Sequence, residues 1–318
     1  MNERYVERTV LPVEDYYKYG ADLFHLFSAK KESLYSLVKA GKKRIVLLGD
    51  AGDGKSFELG AIASKLIDEK NSQFVPIPVS LDQYVDEDIE AYVRIHLQES
   101  AYLLDQAPAA LVFLFDEFDQ VQSKGVVVKK IGQFMHKYEA ATVVISCRTN
   151  VYSGQFEDYE QYKLVPLDDD EIREFVKKRL KEKAEDFLNK VEKAGFWKIM
   201  RTPFFVDGLM KIYRKDEKIP TKLEEILARV ISVSIDADLQ STPELRDRYS
   251  RDQIERVLTK LSVVMECLPR NHVSLGEFVE IVGAENRILA EKLSILRKAF
   301  SNDGDVIQFG ASQRNLSA

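Results

Sequence analysis

The sequence predicts an α/β fold, a parallel sheet flanked by helices, with a mainly helical region after it. Three observations lead there. Short apolar runs alternate with helical periodicities between residues 41 and 167, the pattern of a parallel sheet covered on both faces. A glycine-rich loop, GDAGDGKS at Gly49–Ser56, follows the first of those runs. An acidic cluster closes another, in LVFLFDEFD at Leu111–Asp119.

The elements follow in order. Tyr5–Leu11 (YVERTVL) reads as a short extended segment. Leu23, Phe24, Leu26, Phe27, Leu34, Tyr35 and Val38 are spaced for one amphipathic helix over Ala21–Val38, ended by Gly41. Arg44–Leu48 (RIVLL) is a buried strand. Helix Phe57–Glu69, strand Phe74–Leu81, helix Asp86–Leu104, strand Ala110–Phe115, helix Val126–Tyr138 and strand Thr142–Ser146 come next. Tyr162–Leu167 (YKLVPL) reads as a last, edge strand. Asp168, Asp169, Asp170 and Glu171 then open a long helix whose later turns carry Lys177, Lys178, Arg179 and Lys181. Acids first and bases last suit a helix dipole. Helical patterns continue from there, with no strand alternation until Asp305–Phe309 (DVIQF), and Phe196, Trp197, Phe204 and Phe205 are expected in the core of the helical lid. The expected division is residues 1–40 as a lead-in, 41–167 as the sheet domain, 168–218 as a helical lid and 219–318 as a further subdomain.

Composition narrows the function. Of 318 residues, 45% are hydrophobic and 31% charged, so a packed globular chain is expected. The net charge of −6 does not indicate nucleic acid. Lys42-Lys43-Arg44 reads as a solvated strand entry. The longest apolar run, PAALVFLF at Pro108–Phe115, is far short of the roughly 18 residues a membrane span needs. The charged start MNERYVERTV lacks a secretory signal's apolar stretch. A soluble, cytoplasmic protein is expected. Cys147 and Cys267 alone build no disulfide scaffold, and His25, His96, His136 and His272 show no zinc-site spacing.

The loop GDAGDGKS fits G-x-x-x-x-G-K-[ST] without exception. An accidental match has roughly one chance in a hundred in a chain of this length, and the strand before and helix after lower it further. Gly49, Asp50, Ala51, Gly52, Asp53, Gly54, Lys55, Ser56 and Phe57 are the predicted nucleotide-binding segment. Its glycines let the backbone curl so that N–H groups point at phosphate oxygens, and the helix start adds its positive end. Lys55 is expected on the β- and γ-phosphates and Ser56 on Mg²⁺. Asp116 ends an apolar strand 116 − 55 = 61 residues after Lys55. Such a strand is expected beside the loop's own strand, its Asp in the Mg²⁺ shell. Glu117 or Asp119 is expected to polarise the attacking water. Three carboxylates at one strand end call for a cation. The nearest approach to a guanine-reading N-K-x-D element, Asn189-Lys190-Val191-Glu192, lacks the Asp, so ATP and ADP are the expected nucleotides.

GDAGDGKS, LVFLFDEFD, TVVISCR at Thr142–Arg148 and RTPFF at Arg201–Phe205 together resemble the STAND class of P-loop ATPases, and within it the NACHT type. Glu117 stands where that type carries a small residue, and Gln120 where it carries an acid. The resemblance implies that Arg148 senses the γ-phosphate, that Pro203 packs on the adenine, and that a winged-helix region follows the lid. It implies a switch with slow hydrolysis, self-oligomerisation on activation, and effector and sensor domains or subunits outside this sequence. Bacterial members commonly act in defence against phage. The tail VIQFGASQRNLSA offers Phe309 for the family's closing motif but no histidine. A motor related to AAA+ ATPases and a non-hydrolysing nucleotide-holding module are the rival readings. Cys147 reads as a buried filler, and Tyr5 and Arg8 as candidate flanks of the adenine.

Overall fold

The computed structural model describes residues 6–19, 23–28, 32–50, 52–69, 73–81, 84, 87–106, 108–121, 123–267, 272–293, 296–301 and 304–309. Tyr5 and Ala51 lie outside them. The chain forms two compact units, Met1–Arg179 and Leu180–Ala318.

The first unit is built on seven strands: β1 (Thr9–Pro12), β2 (Glu32–Ser33), β3 (Arg44–Gly49), β4 (Val75–Ser80), β5 (Leu111–Asp116), β6 (Thr142–Arg148) and β7 (Glu160–Leu164). Their order is β2-β1-β7-β3-β6-β5-β4. The run from β7 to β4 is parallel throughout. β1 adds antiparallel to β7, and β2 antiparallel to β1. Strict alternation within the central strands explains the apolar runs. Leu48, Phe113, Phe115, Val143 and Ile145 pack on one face with Tyr92, Val93, Ile131 and Phe134. Ile45, Leu47, Val112, Leu114 and Val144 pack on the other with Leu37, Leu59, Ile62 and Leu66. A strand buried on both faces has no polar side to show.

Three expectations are corrected. The single helix over Ala21–Val38 is two short helices, Leu23–Ser28 and Leu34–Lys39, parted by β2. Ser33 pairs with Thr9 and caps the second helix, its hydroxyl accepting from the Ser36 N–H at 3.1 Å. Local capping and strand pairing override the helical spacing. The helix expected from Asp86 to Leu104 stops at Leu97, where Gln98 turns to φ 47°. The expected edge strand is interior: β7 lies between β1 and β3, because the N-terminal strand covers it.

In the second unit, helix Arg251–Cys267 leads to β8 (His272–Ser274), helices Leu275–Val282 and Arg287–Lys292, then the hairpin β9 (Leu296–Ser301) and β10 (Gly304–Phe309). The antiparallel order β8-β10-β9 makes this a winged-helix arrangement. Sequence reading had found only the last of its three strands. Leu258, Leu261, Phe278, Leu289 and Ile307 form its core. A reciprocal Ser274–Glu277 capping box starts the second helix. Before it, helices Pro203–Asp216 and Leu223–Ser241 pack together. Phe196, Trp197, Phe204 and Phe205 are half-buried rather than central. Val206, Leu209, Met210 and Phe187 are among the fully buried side chains nearby in sequence. Their smaller or inward-spaced positions follow the helical period, which clustered aromatics do not.

Gly208 sets how closely those two helices approach. A Cβ there would lie 2.7 Å from Val230 Cγ2. Gly208→Ala is expected to destabilise the unit by about 1–3 kcal/mol through overpacking. Val230→Ala added to it should recover most of that loss, measured by chemical denaturation. Additive losses in the double variant would show that the contact does not set the spacing.

Candidate functional site

Register aligns the site. Gly49 at the end of β3 is opposite Arg148 at the end of β6, and Ser80 is opposite Asp116. Phe115 is opposite Ile145, so Asp116 falls level with Ser146. The C-terminal ends of parallel strands are where such sheets hold ligands. β6 stands between β3 and β5, so the acidic strand is not the loop strand's neighbour, contrary to expectation. The inserted strand brings Ser146 and Arg148 between the loop and the carboxylates.

The phosphate loop is preformed. Gly52 and Gly54 take φ 85° and 88°, a conformation that side chains resist. Gly54 is the N-cap of helix Lys55–Asp68, so Lys55, Ser56 and Phe57 form its first turn. Lys55 Nζ turns back to donate to the carbonyls of Gly49 at 2.8 Å and Asp50 at 3.1 Å. Burial pulls its pKa below the usual lysine value, against the pull of Asp119 and Asp53. Asp53 braces the loop from inside: its Oδ2 accepts the Asp50 N–H at 2.5 Å. Burial pushes the Asp53 carboxyl up, with Asp50 adding to it. Ser56 and Phe57 are exposed.

The carboxylates divide into separate settings. Asp116 Oδ1 accepts from the Ser146 hydroxyl and from the Glu117 N–H at 2.9 Å. Glu117 sits in the left-handed region at φ 63°, its N–H also reaching Ser146 Oγ at 3.0 Å. A non-glycine residue held there is costly and is often found at functional sites. Its Oε2 accepts from the Ser80 hydroxyl at 3.2 Å. Asp119 is different. Both of its oxygens serve Arg148, Oδ2 accepting from Nε at 2.8 Å and Oδ1 from the backbone N–H at 3.2 Å. Both side chains are 5% exposed. One of the three carboxylates is thus neutralised within the chain, where a bound cation was expected to serve all three. Arg148 Nη1 is buried and without a hydrogen-bond partner. Cys147 is fully buried, and desolvation pushes its thiol up to about 12, so it is a filler.

Among the described residues no group of three or more His, Cys, Asp or Glu is placed to hold a metal ion. The oxygen donors Ser56 and Asp116 fit a different arrangement, in which Mg²⁺ takes one or two protein ligands and otherwise phosphates and water. Pro203 opens helix Pro203–Asp216, a position that suits its fixed φ, in the second unit.

Three participants carried weak or no sequence signals. Lys163, buried in β7, points Nζ to within 3.6 Å of Asp50 Oδ2 and 4.7 Å of the Tyr16 ring centroid. Tyr16 is pushed up to about 12 by burial, then by Asp53 and Asp50. Ser146 holds Asp116 and Glu117 together. The signal for Ser146 and Lys163 was a polar residue inside an apolar run, in TVVISCR and YKLVPL.

Fold and loop together define a P-loop NTPase fold. No protein-family model matches the chain, and no curated protein matches it. Among solved structures it is similar to the ORC1 protein of Aeropyrum pernix in complex with DNA, at 14% identity and TM-score 0.43, over 96% of this chain and 91% of that one. It is also similar to a STAND protein with a tetratricopeptide repeat sensor from Pyrococcus horikoshii, at 12% identity and TM-score 0.40, over 89% of this chain and 41% of that one. RuvB of Thermotoga maritima gives 16% identity and TM-score 0.37, over 86% and 89%. The fold rests on the strand order and loop geometry of this chain, not on these likenesses. No described helix is long and apolar enough to cross a membrane.

Two outcomes test the site. Asp119→Ala leaves Arg148 buried without its counter-charge and should cost about 3–5 kcal/mol. The double variant with Arg148→Ala should cost clearly less than the two single losses summed, by denaturant titration. Asp53→Asn keeps an oxygen for the Asp50 N–H but removes a buried charge. The Asp53 carboxyl is raised in the folded state, so its ionised form opposes folding at neutral pH. Asp53→Asn should therefore melt higher than wild type at pH 7, and the gap should close as acid protonates Asp53. A gap unchanged by acid would contradict the sign.

Proposed function

We propose that the chain is an ATP-binding switch that hydrolyses ATP slowly, of the STAND signalling class its motifs resemble. The observation that carries this is Lys55, turned into a preformed phosphate loop at the same end of the sheet as Asp116 and Glu117. Lys55 and the loop N–H groups take the β- and γ-phosphates. Ser56 and Asp116 hold Mg²⁺, which neutralises phosphate charge during transfer. Glu117 polarises the attacking water, since both Asp119 oxygens are engaged by Arg148. Arg148 reads the γ-phosphate through its remaining nitrogens, and Pro203 packs on the adenine. Exchange of ADP for ATP changes the arrangement of the helical region and exposes a self-association surface. Effector and sensor functions lie on other domains or subunits, in cytoplasmic signalling or defence against phage.

The test begins with nucleotide released from denatured, purified protein. Near-stoichiometric ADP is expected from wild type, and none from Lys55→Ala, whose affinity for a fluorescent ATP analogue should fall at least about a hundredfold. Glu117→Gln should bind normally and hydrolyse about 10²–10⁴ times more slowly. An empty wild type with rapid turnover would favour a motor instead. Nucleotide bound equally by Lys55→Ala would remove the reading.

A further inference from the structure

Arg8 touches the phosphate loop and has no part in the nucleotide chemistry above. It is 5% exposed, although it precedes β1 in an irregular segment. Its guanidinium forks between two pieces of chain far apart in sequence. Nη1 donates to the carbonyl of Asp53 in the phosphate loop at 2.8 Å. Nη2 donates to the carbonyl of Val165 at 2.7 Å. Val165 closes β7: its N–H donates to the Thr9 carbonyl at 3.0 Å. Three residues on, Asp168 and Glu171 cap helix Asp169–Leu180 reciprocally, at 2.8 Å in each direction. The Thr9 hydroxyl donates to Glu171 Oε1 at 3.4 Å. One buried, planar fork therefore ties the loop to the connection that starts this helix.

We propose that Arg8 is a positioning residue that couples occupation of the phosphate loop to the segment 165–180. A planar guanidinium can satisfy two carbonyls in one fixed geometry, whereas an ammonium is a single point. Movement of the Asp53 peptide on phosphate binding is passed to Val165 through a rigid group, and from there to the helix start. The inference rests on nucleotide binding by the loop.

The experiment uses the full chain as wild type, Arg8→Lys and Arg8→Ala. Fluorescent ADP titration gives affinity, and hydrogen exchange read by mass spectrometry gives protection of peptides covering 163–180, without ADP and at saturating ADP with Mg²⁺. Wild type should gain protection there, by about tenfold slower exchange. Arg8→Ala should weaken ADP binding about tenfold and lose that gain even at saturation. Arg8→Lys, which keeps the charge, should recover most of the affinity and little of the gain. That split between affinity and protection separates coupling from simple loss of structure. Full protection at saturation in Arg8→Lys, or no gain in wild type that binds ADP, would overturn the coupling. A wild type that does not bind ADP would remove the nucleotide reading, and the coupling with it.

Discussion

Everything at the phosphate-loop end of the sheet depends on one constraint: strands buried on both faces must share a register. Because β3, β6 and β5 can present only apolar side chains to their covering helices, their polar residues are confined to the strand ends. Register then fixes how those ends stand to one another. Gly49 is level with Arg148, and Asp116 is level with Ser146 two residues before it on β6, because Gly49 pairs with Arg148 and Phe115 with Ile145. A slip of one residue would turn every core side chain to the wrong face. The packing of the core and the alignment of the site are therefore the same requirement.

At that end of the sheet the chain neutralises itself as far as it can. Lys55 is turned to backbone carbonyls, Asp53 to a backbone N–H, Asp116 to a serine hydroxyl and Asp119 to an arginine. Each of these buried polar groups is matched close by, which fixes its position before any ligand arrives. The strained backbone at Glu117 belongs to the same set. Its N–H is held by both Asp116 and Ser146, so the turn is over-determined by its neighbours.

Residues whose role is local were legible in sequence. The loop's glycines and Lys55 announce themselves because the chemistry demands those types at fixed spacing. The apolar runs announce strands because burial on both faces leaves no alternation to confuse. What stayed hidden depends on partners distant in the chain. Nothing in YKLVPL says that β7 is interior, since that depends on β1 arriving from 150 residues earlier to pair with it. The acidic strand's distance from the loop strand was misjudged because adjacency in a sheet is a property of topology. The winged helix gave up one strand of three: β8 has three residues, too few for a pattern. Arg8 was noted only as a flank of the adenine, while its bonds to Asp53 and Val165 are contacts between residues 45 and 157 positions apart.

The pairing of Asp119 with Arg148 also bears on how such a sequence can change over evolutionary time. Neither residue can drift alone, because each leaves the other charged and enclosed. A lineage that abandons one must first pass through a neutral or apolar replacement of its partner, or lose the fold on the way. In any set of relatives the two positions should therefore change together, as an acid with a base or as two uncharged residues. Asp116, whose bonds are to a hydroxyl and a backbone N–H, is under no such mutual bond to a charged partner.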